Sequence, residues 1–234
     1  MDVLSGAYWD IGLRSVNEDT LLYEDIYIKD IRVVLALVAD GVGSLKNGQI
    51  ASGYIGESIA KCFFNDIKNN ISKGYGISKI KKLLLKKIYE IHLNLKEYTN
   101  HTNMDIASTL SLILIINGRY LIMHLGDSAI YKCKKNTLKL LVPFHRNLDG
   151  SVSKCISNIC FHKPYIKTGF IRNNTGFLVC TDGFYKRFPK DIWTFNPKDI
   201  LTEEQIEKRL ISIGEYVFNK GEKDNKSAVY FLIK

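Results

Sequence analysis

The sequence predicts an α+β protein in which two antiparallel β-sheets stack face to face with helices on the outside. Strand-like segments follow one another as hairpins, and consecutive hairpins form antiparallel sheets. Two long segments in the first half repeat apolar residues at helical spacing, and each apolar stripe must be buried on a sheet face. The 234 residues suffice for one such core, so we expect a single domain over residues 1–234.

Three strand candidates occupy the first 40 residues. Residues 4–12 form an extended lead-in, residues 20–28 a second strand, and residues 32–39 a third strand that is mostly apolar. The third strand runs into Asp40, and the glycines directly after it permit a tight turn. This stretch therefore brings one carboxylate to the edge of a sheet.

Two helices are predicted next. Residues 47–64 place apolar side chains at helical spacing, and a second, clearer helix follows Gly74. Its apolar stripe steps by three and four residues and consists of Ile77, Ile80, Leu84, Ile88, Ile91 and Leu95.

The period then changes to that of strands. Residues 109–116 and 119–125 are apolar runs separated only by Asn117-Gly118, the dipeptide that favours a two-residue hairpin turn. Residues 129–134 and 138–142 suggest a further hairpin.

The last third of the chain begins with a stretch that has no clear pattern. Residues 143–172 support no prediction of regular structure. Residues 176–181 form a short buried strand, and residues 202–218 a helix whose cap is Thr202. Residues 228–233 form a closing strand.

Composition indicates a soluble protein of a reducing compartment, so we predict a cytoplasmic location. No apolar run approaches the roughly 20 residues that span a bilayer, and the first residues lack the pattern of a signal peptide. The five cysteines form no CxxC pair, which argues against zinc or disulfide frameworks. They are Cys62, Cys133, Cys155, Cys160 and Cys180.

The net charge of +9 raises the alternative of a nucleic-acid or anionic membrane partner. The lysines are spread along the chain, with local clusters at residues 79–87 and 132–139. The first cluster alternates with apolar residues at helical spacing, which favours a solvated helix face. No nucleic-acid recognition motif accompanies either cluster.

Acidic residues stand where strand-like segments begin or end, and any one of them alone could be a turn residue. Together they are Glu18, Asp19, Asp40, Asp127, Asp182 and Asp224. If these strand ends meet, the carboxylates repel one another, and hard cations such as Mg²⁺ or Mn²⁺ relieve that repulsion. His124 lies in an alternating apolar stretch, so we interpret it as a structural histidine rather than a ligand.

The joint pattern resembles the metal-dependent protein phosphatases of the 2C type over nearly the whole chain. Seven short motifs occur in the order and at the spacing of that family. They are residues 10–19, Val38-Ala39-Asp40-Gly41-Val42-Gly43, Gly48-Gln49-Ile50-Ala51-Ser52, Ala107-Ser108-Thr109-Leu110, Gly126-Asp127-Ser128, Thr181-Asp182-Gly183 and Asp224-Asn225. The resemblance implies a four-layer α-β-β-α sandwich, with helices on both sides of the two stacked sheets.

The resemblance also implies a role for each acid. Asp40 would bridge two Mn²⁺ or Mg²⁺ ions, with Glu18 and the Gly41 carbonyl completing the shell of one ion. Asp182 and Asp224 would serve the other ion.

The implied reaction is hydrolysis of phosphoserine and phosphothreonine in a phosphorylated protein substrate. A water activated between the two ions would attack phosphorus, with Asp40 and Arg14 as the catalytic residues. Arg14 would bind the substrate phosphate, because the guanidinium fork matches two phosphate oxygens. We expect a monomer that binds neither nucleic acid nor membrane.

One departure from the family pattern concerns a third ion. Asp127 is the candidate ligand for it, but position 186, where the family places a second acid, is lysine. The ammonium of Lys186 could pair with Asp127 or Asp182 and replace the cation, so we expect two ions and no ordinary third one.

Other departures are Ala129 in place of arginine, Val42 in place of a histidine proposed as general acid, and Ser44 in place of a glycine. The segment between Asp127 and Asp182 is also short, which leaves little surface for substrate choice. Lys186 and Ala129 motivate an alternative function: a catalytically weak or inactive phosphatase-fold module that binds a phosphoprotein or a regulatory partner.

Overall fold

A computed structural model describes most of the chain. The described residues are 2–43, 47–100, 102, 104–134, 137–188, 199–200 and 202–234. Ser44 lies outside them. Among these residues, none of the helices combines the length and the apolar character needed to span a membrane.

Two five-stranded antiparallel sheets form the centre of the structure. Sheet A has the order β1-β12-β11-β7-β8, and sheet B has the order β10-β6-β5-β3-β2. The strands of sheet A are β1 (Val3–Asp10), β7 (Ala129–Lys134), β8 (Thr137–Leu140), β11 (Thr175–Cys180) and β12 (Lys226–Ile233). Those of sheet B are β2 (Asp19–Ile28), β3 (Ile31–Asp40), β5 (Leu110–Ile116), β6 (Arg119–Leu125) and β10 (Tyr165–Phe170).

Helices cover the outer face of each sheet. On sheet B lie α1 (Gly48–Cys62) and α3 (Ile77–Thr99), and on sheet A lies α5 (Glu203–Asn219). The apolar stripe predicted for α3 is buried along its length. Thr202 caps α5 as predicted, in a reciprocal capping box with Gln205.

Three apolar layers hold this arrangement together. Alternate side chains of β3 point to opposite faces of sheet B, so Val34, Ala36 and Val38 face sheet A while Val33, Leu35 and Leu37 face the helices. The third layer packs α5 onto sheet A. The observed order is helix, sheet, sheet, helix, which confirms the predicted four-layer α-β-β-α sandwich.

The β5–β6 hairpin also follows the prediction. Asn117 and Gly118 both adopt positive φ, at 47° and 71°, and β5 and β6 pair in antiparallel register on either side of them.

The stretch without a sequence pattern contains structure that was not predicted. It holds β10, an edge strand of sheet B, and β9 (Ile156–Ser157), which pairs with β4 (Ala107–Ser108). The first predicted helix also continues beyond its expected end, through a π-helical turn at Phe63–Ile67 into α2 (Lys68–Ser72). A further short helix, α4 (Asp182–Tyr185), follows β11 directly.

Candidate metal centre

Asp40 is held at the end of β3 by hydrogen bonds to its main chain. Its amide donates to Thr109 Oγ1 at 2.9 Å, and its carbonyl accepts from the Thr109 amide at 2.8 Å and from Ser108 Oγ at 2.9 Å. These bonds engage only the backbone of Asp40. Its carboxylate is therefore available to a ligand.

Three carboxylates converge at this point. Oxygen atoms of Asp40, Asp127 and Asp182 lie within 4.8 Å of one another, although the three residues come from three different strand ends. Asp127 follows Gly126, whose φ of +107° and close approach to Thr109 exclude a side chain at that position. The predicted convergence of acids at one sheet edge is thus observed for these three.

Glu18 lies on the side of the site where α1 begins. Its Oε1 accepts a hydrogen bond from the Gly48 amide at 3.1 Å, and the Gly41 amide donates to the Glu18 carbonyl at 3.1 Å. Gly41 and Gly48 pack backbone to backbone, because a Cβ on Gly41 would lie 2.5 Å from the Gly48 carbonyl carbon. These two glycines let the turn after β3 approach the helix.

Asp224 and Arg14 form an ion pair in the wall of the site. The Arg14 guanidinium donates from Nε and Nη2 to the two carboxylate oxygens of Asp224, both at 3.0 Å. The next residue, Asn225, ties down the loop that carries Arg14 and Glu18. Its side-chain Nδ2 donates to the Ile11 and Val16 carbonyls, and its Oδ1 accepts from the Glu18 backbone amide at 2.9 Å.

Asp19, one of the acids predicted at a strand end, is buried beneath the site. Its Oδ2 accepts from Thr181 Oγ1 at 2.9 Å and from Ser227 Oγ at 2.7 Å, and it stands opposite Asp40 in the β2–β3 register. Asp19 therefore joins the ends of β2, β11 and β12.

Two cations approach the carboxylates from the opposite side. Arg146, which sequence patterns did not single out, donates from Nε to Asp127 Oδ2 at 2.8 Å and from Nη2 to Asp182 Oδ2 at 3.4 Å. Lys186 Nζ lies 2.5 Å from Asp182 Oδ2. Of the two partners predicted for Lys186, the structure therefore selects Asp182.

Crowding and burial make the acids costly to ionise. Burial, followed by the charges of Asp19, Asp182, Asp127 and Asp224, raises the pKa of Asp40 well above its usual value. Burial likewise raises the pKa of Asp182, although Lys186 opposes the shift. Burial also raises the pKa of Asp19 to about 7, although the hydrogen bonds from Ser227 and Thr181 oppose this shift.

Arg14 and five of the acids line one cavity of about 220 Å³. Its wall contains every predicted site residue: Arg14, Glu18, Asp40, Gly41, Asp127, Asp182 and Asp224. The carboxylates lie so close together that their ionisation is unfavourable unless a positive charge is added. Hard divalent cations supply that charge and prefer oxygen ligands. The residues present fit the predicted divalent ions on that ground.

One predicted departure from the family pattern, Val42, lies at this site, and the predicted structural histidine lies outside it. Val42 lines the cavity and offers no proton to a ligand. His124 is fully buried away from the cavity wall, where Nε2 lies 2.8 Å from the Pro143 carbonyl and Nδ1 lies 2.8 Å from Ser111 Oγ. A carbonyl can only accept, so Nε2 carries the proton, as expected of a structural histidine.

Comparison with known proteins identifies the class. The sequence profile of the protein phosphatase 2C family matches residues 13–224, so the chain belongs to this family. Membership confirms the predicted family and the predicted enzyme class, a protein serine/threonine phosphatase dependent on divalent metal. A search of curated protein sequences found no match.

Three solved structures with the same fold illustrate the similarity. A serine/threonine phosphatase of S. agalactiae superposes with a TM-score of 0.80 at 18% identity and full coverage of both chains. PppA of Pseudomonas aeruginosa, described as a key regulatory component of T6SS, gives 0.78 at 17% identity, again with full coverage of both chains. The catalytic domain of the phosphatase PstP in complex with two manganese ions gives 0.76 at 18% identity, covering 99% of this chain and 98% of that one. At these identities the similarity establishes the fold.

Proposed function

We propose that the chain is a single catalytic domain that removes phosphate from phosphoserine and phosphothreonine in proteins with the help of two divalent ions, Mn²⁺ or Mg²⁺. The observation that carries the proposal is the convergence of Asp40, Asp127 and Asp182 within 4.8 Å in a cavity that Arg14 also lines. Family membership supplies the reaction class.

The residues that would hold the ions follow from their places in the cavity. Asp40 is central and would contact both ions, with Glu18 and the Gly41 carbonyl on the α1 side. Asp182 and Asp224 would serve the second ion. When bound, the ions would supply an acidified water as the attacking nucleophile and would offset charge on the phosphoryl oxygens.

The chain's own residues bind and orient the substrate. Arg14 is half-exposed at the mouth of the cavity, so its guanidinium can leave Asp224 and engage two phosphate oxygens. Asn225 limits this movement by fastening the loop on both sides of Arg14. Because Val42 cannot donate a proton, the leaving serine or threonine oxygen would take its proton from solvent.

The second candidate function, a binding module without turnover, is less well supported. Its motivation was that Lys186 and Ala129 depart from the family pattern. Lys186 contacts one oxygen of Asp182, and Glu18, Asp40, Asp127, Asp182 and Asp224 all line the cavity. This arrangement favours turnover.

We further propose a cytoplasmic monomer that acts on phosphoproteins and binds neither nucleic acid nor membrane. The lysines of α3 support this view, since Lys86 and Lys87 pair with Glu90 on the solvated face of that helix. The PstP structure with two manganese ions favours Mn²⁺ for the first trial.

The test is turnover by the purified chain of p-nitrophenyl phosphate and of a phosphothreonine peptide. We expect activity with added Mn²⁺ or Mg²⁺ and none with excess chelator. Isothermal titration with Mn²⁺ would run in parallel on the same preparation. A preparation that binds the metal and hydrolyses neither substrate would reject the phosphatase and leave the binding module.

A further inference from the structure

Arg146 and Lys186 contact the carboxylate cluster of Asp40, Asp127 and Asp182 from the same side. Arg146 contacts Oδ2 of Asp127 and Oδ2 of Asp182, and Lys186 shares that second oxygen. Among the described residues, Oδ1 of neither carboxylate takes part in a hydrogen bond or ion pair. Each acid is thus neutralised from one edge, and its other oxygen remains available to an ion near Asp40.

Two aromatic residues, Phe144 and Tyr185, hold the Arg146 side chain in place. Its guanidinium lies 5.5 Å from the centre of the Phe144 ring, which stacks on the Tyr185 ring at 5.3 Å with an interplanar angle of 7°. The Tyr185 hydroxyl accepts from Arg146 Nη2 at 3.1 Å and donates to the Asp127 carbonyl at 2.6 Å. The Arg146 side chain is consequently only 29% exposed, against 52% for Arg14.

The backbone around Arg146 is also fixed to the site. The His145 amide donates to the Gly126 carbonyl at 2.9 Å, and the Gly126 amide donates back to His145 Nδ1 at 3.1 Å. Lys186 is fixed by the fold as well, one turn after Asp182 in the chain, with its amide bonded to the Asp182 carbonyl at 2.9 Å.

The charges differ sharply between the two sides of the cluster. On one side, Arg146 and Lys186 balance Asp127 and Asp182. On the other side, Asp40 has no ion-pair partner among the described residues, and Glu18 and Asp224 add negative charge opposed by Arg14. Divalent ions are therefore drawn to the Asp40 side and repelled from the Asp127 side.

We propose that Arg146 and Lys186 are built-in cations that hold Asp127 and Asp182 in position and take the place of a divalent ion on that side of the cluster. The inference rests on the proposed two-ion centre and deepens it: the chain binds two divalent ions through Asp40 and its neighbours, and Arg146 excludes another ion from Asp127. Both are positioning residues, since they act through the carboxylates.

The test is the stoichiometry of Mn²⁺ binding, measured by equilibrium dialysis and isothermal titration without substrate. We expect two ions for the wild-type chain. The double variant Arg146→Met/Lys186→Met should gain a further ion or bind its weakest ion at least tenfold more tightly, because two positive charges leave while both acids remain. Mn²⁺ should also raise its unfolding temperature more than that of wild type.

A matched control separates this effect from net charge. Lys61→Met/Lys208→Met removes two exposed lysines that form i,i+4 ion pairs on α1 and α5. This control should bind Mn²⁺ as wild type does. Three ions on the wild-type chain, or unchanged Mn²⁺ binding in the Arg146 and Lys186 variants, would overturn the proposal.

Two further points keep the outcome decisive. If the double variant does not fold, the single variant Arg146→Gln decides, since it removes the cation that contacts both Asp127 and Asp182 and leaves Lys186 in place. The ion count needs no turnover, so a failed phosphatase assay with the expected ion counts would reject the proposed reaction and leave this inference standing.

Discussion

The candidate site has two parts that differ in how the fold holds them. The acidic framework consists of Asp19, Asp40, Asp127 and Asp182. The basic rim consists of Arg14, Arg146 and Lys186. Within the framework, the side chains of Asp127 and Asp182 are nearly inaccessible, with exposures of 5% and 11%. Those of the rim range from 29% to 52%.

The difference shows which part of the centre the sandwich itself determines. Framework acids lie at strand ends or in turns directly attached to them, so sheet pairing sets their positions. Rim cations reach the site on long side chains from loops and a short helix. Changes in the framework should therefore alter metal binding or the stability of the fold, whereas changes in the rim should alter function at little cost to the fold.

The largest expected effect is that of Asp40→Asn. Loss of the central carboxylate should lower metal-dependent turnover on the order of 10³-fold, as for other preorganised electrostatic groups. Stability without metal should stay the same or rise, because the change removes a charge that burial and four neighbouring acids disfavour. Turnover of p-nitrophenyl phosphate and urea unfolding without metal give the two measurements. Wild-type activity in this variant would exclude Asp40 from the centre.

The next effect concerns Asp19, which joins three strand ends without facing the cavity. Asp19→Ala should lower the free energy of unfolding by about 3 kcal/mol, because the Thr181 and Ser227 hydroxyls lose their acceptor inside the protein. Asp19→Asn keeps one acceptor oxygen and should recover part of that loss. Urea unfolding measures both. A loss for Asp19→Ala below about 0.5 kcal/mol, the range of ordinary surface changes, would show that the framework does not depend on Asp19.

How much of the fold and of the candidate site could be predicted from the sequence depends on whether a residue's partners are close to it in the chain. The acids were predicted because each follows or precedes a strand that alternation or apolar runs reveal, as Asp40 follows β3. Lys186 was predicted to pair because it stands four residues after Asp182, where the family pattern has a second acid. The joint motif pattern added the family and, with it, the second helical layer.

What could not be predicted depends on contacts that are distant in sequence. Arg146 reaches Asp127 across 19 residues, through a loop whose position is set by the His145–Gly126 pair. Strand β10 was missed because it is an edge strand covered on one face only and interrupted by Gly169, over which the Tyr120 ring lies. No periodicity within residues 143–172 predicts the contact of Arg146 or the strand β10.

A smaller effect is expected from His124, which lies on β6 opposite Ser111 of β5. Burial, followed by the nearby His145, lowers the pKa of His124 to about 3. Since this folded-state pKa lies below the unfolded value, the unfolded chain binds the extra proton first as pH falls. The stability that His124 contributes is complete above pH of about 6.5 and is lost toward pH 3 by up to about 1.4 kcal/mol per pH unit.

Urea unfolding at pH values from 7 to 4 measures this slope, and NMR follows the imidazole. His124→Gln should have a shallower slope over the same range. An imidazole that titrates near 6.5 in the native chain would contradict the assignment of His124 as a buried neutral group.

The smallest effect on folding is expected from Arg14, the most exposed member of the rim. Arg14→Met should change the free energy of unfolding by less than about 0.5 kcal/mol, because an ion pair with this much solvent contact contributes little. The same change should lower kcat/KM for a phosphothreonine peptide by roughly 10–100-fold, the value of a charge-assisted hydrogen bond to phosphate. Lys208→Met, which removes an exposed, ion-paired cation from α5, serves as the control and should change neither quantity. If Arg14→Met instead destabilised the fold as strongly as Asp19→Ala, Arg14 would belong to the framework, and its bond to Asp224 would be a structural one rather than a contact released to substrate.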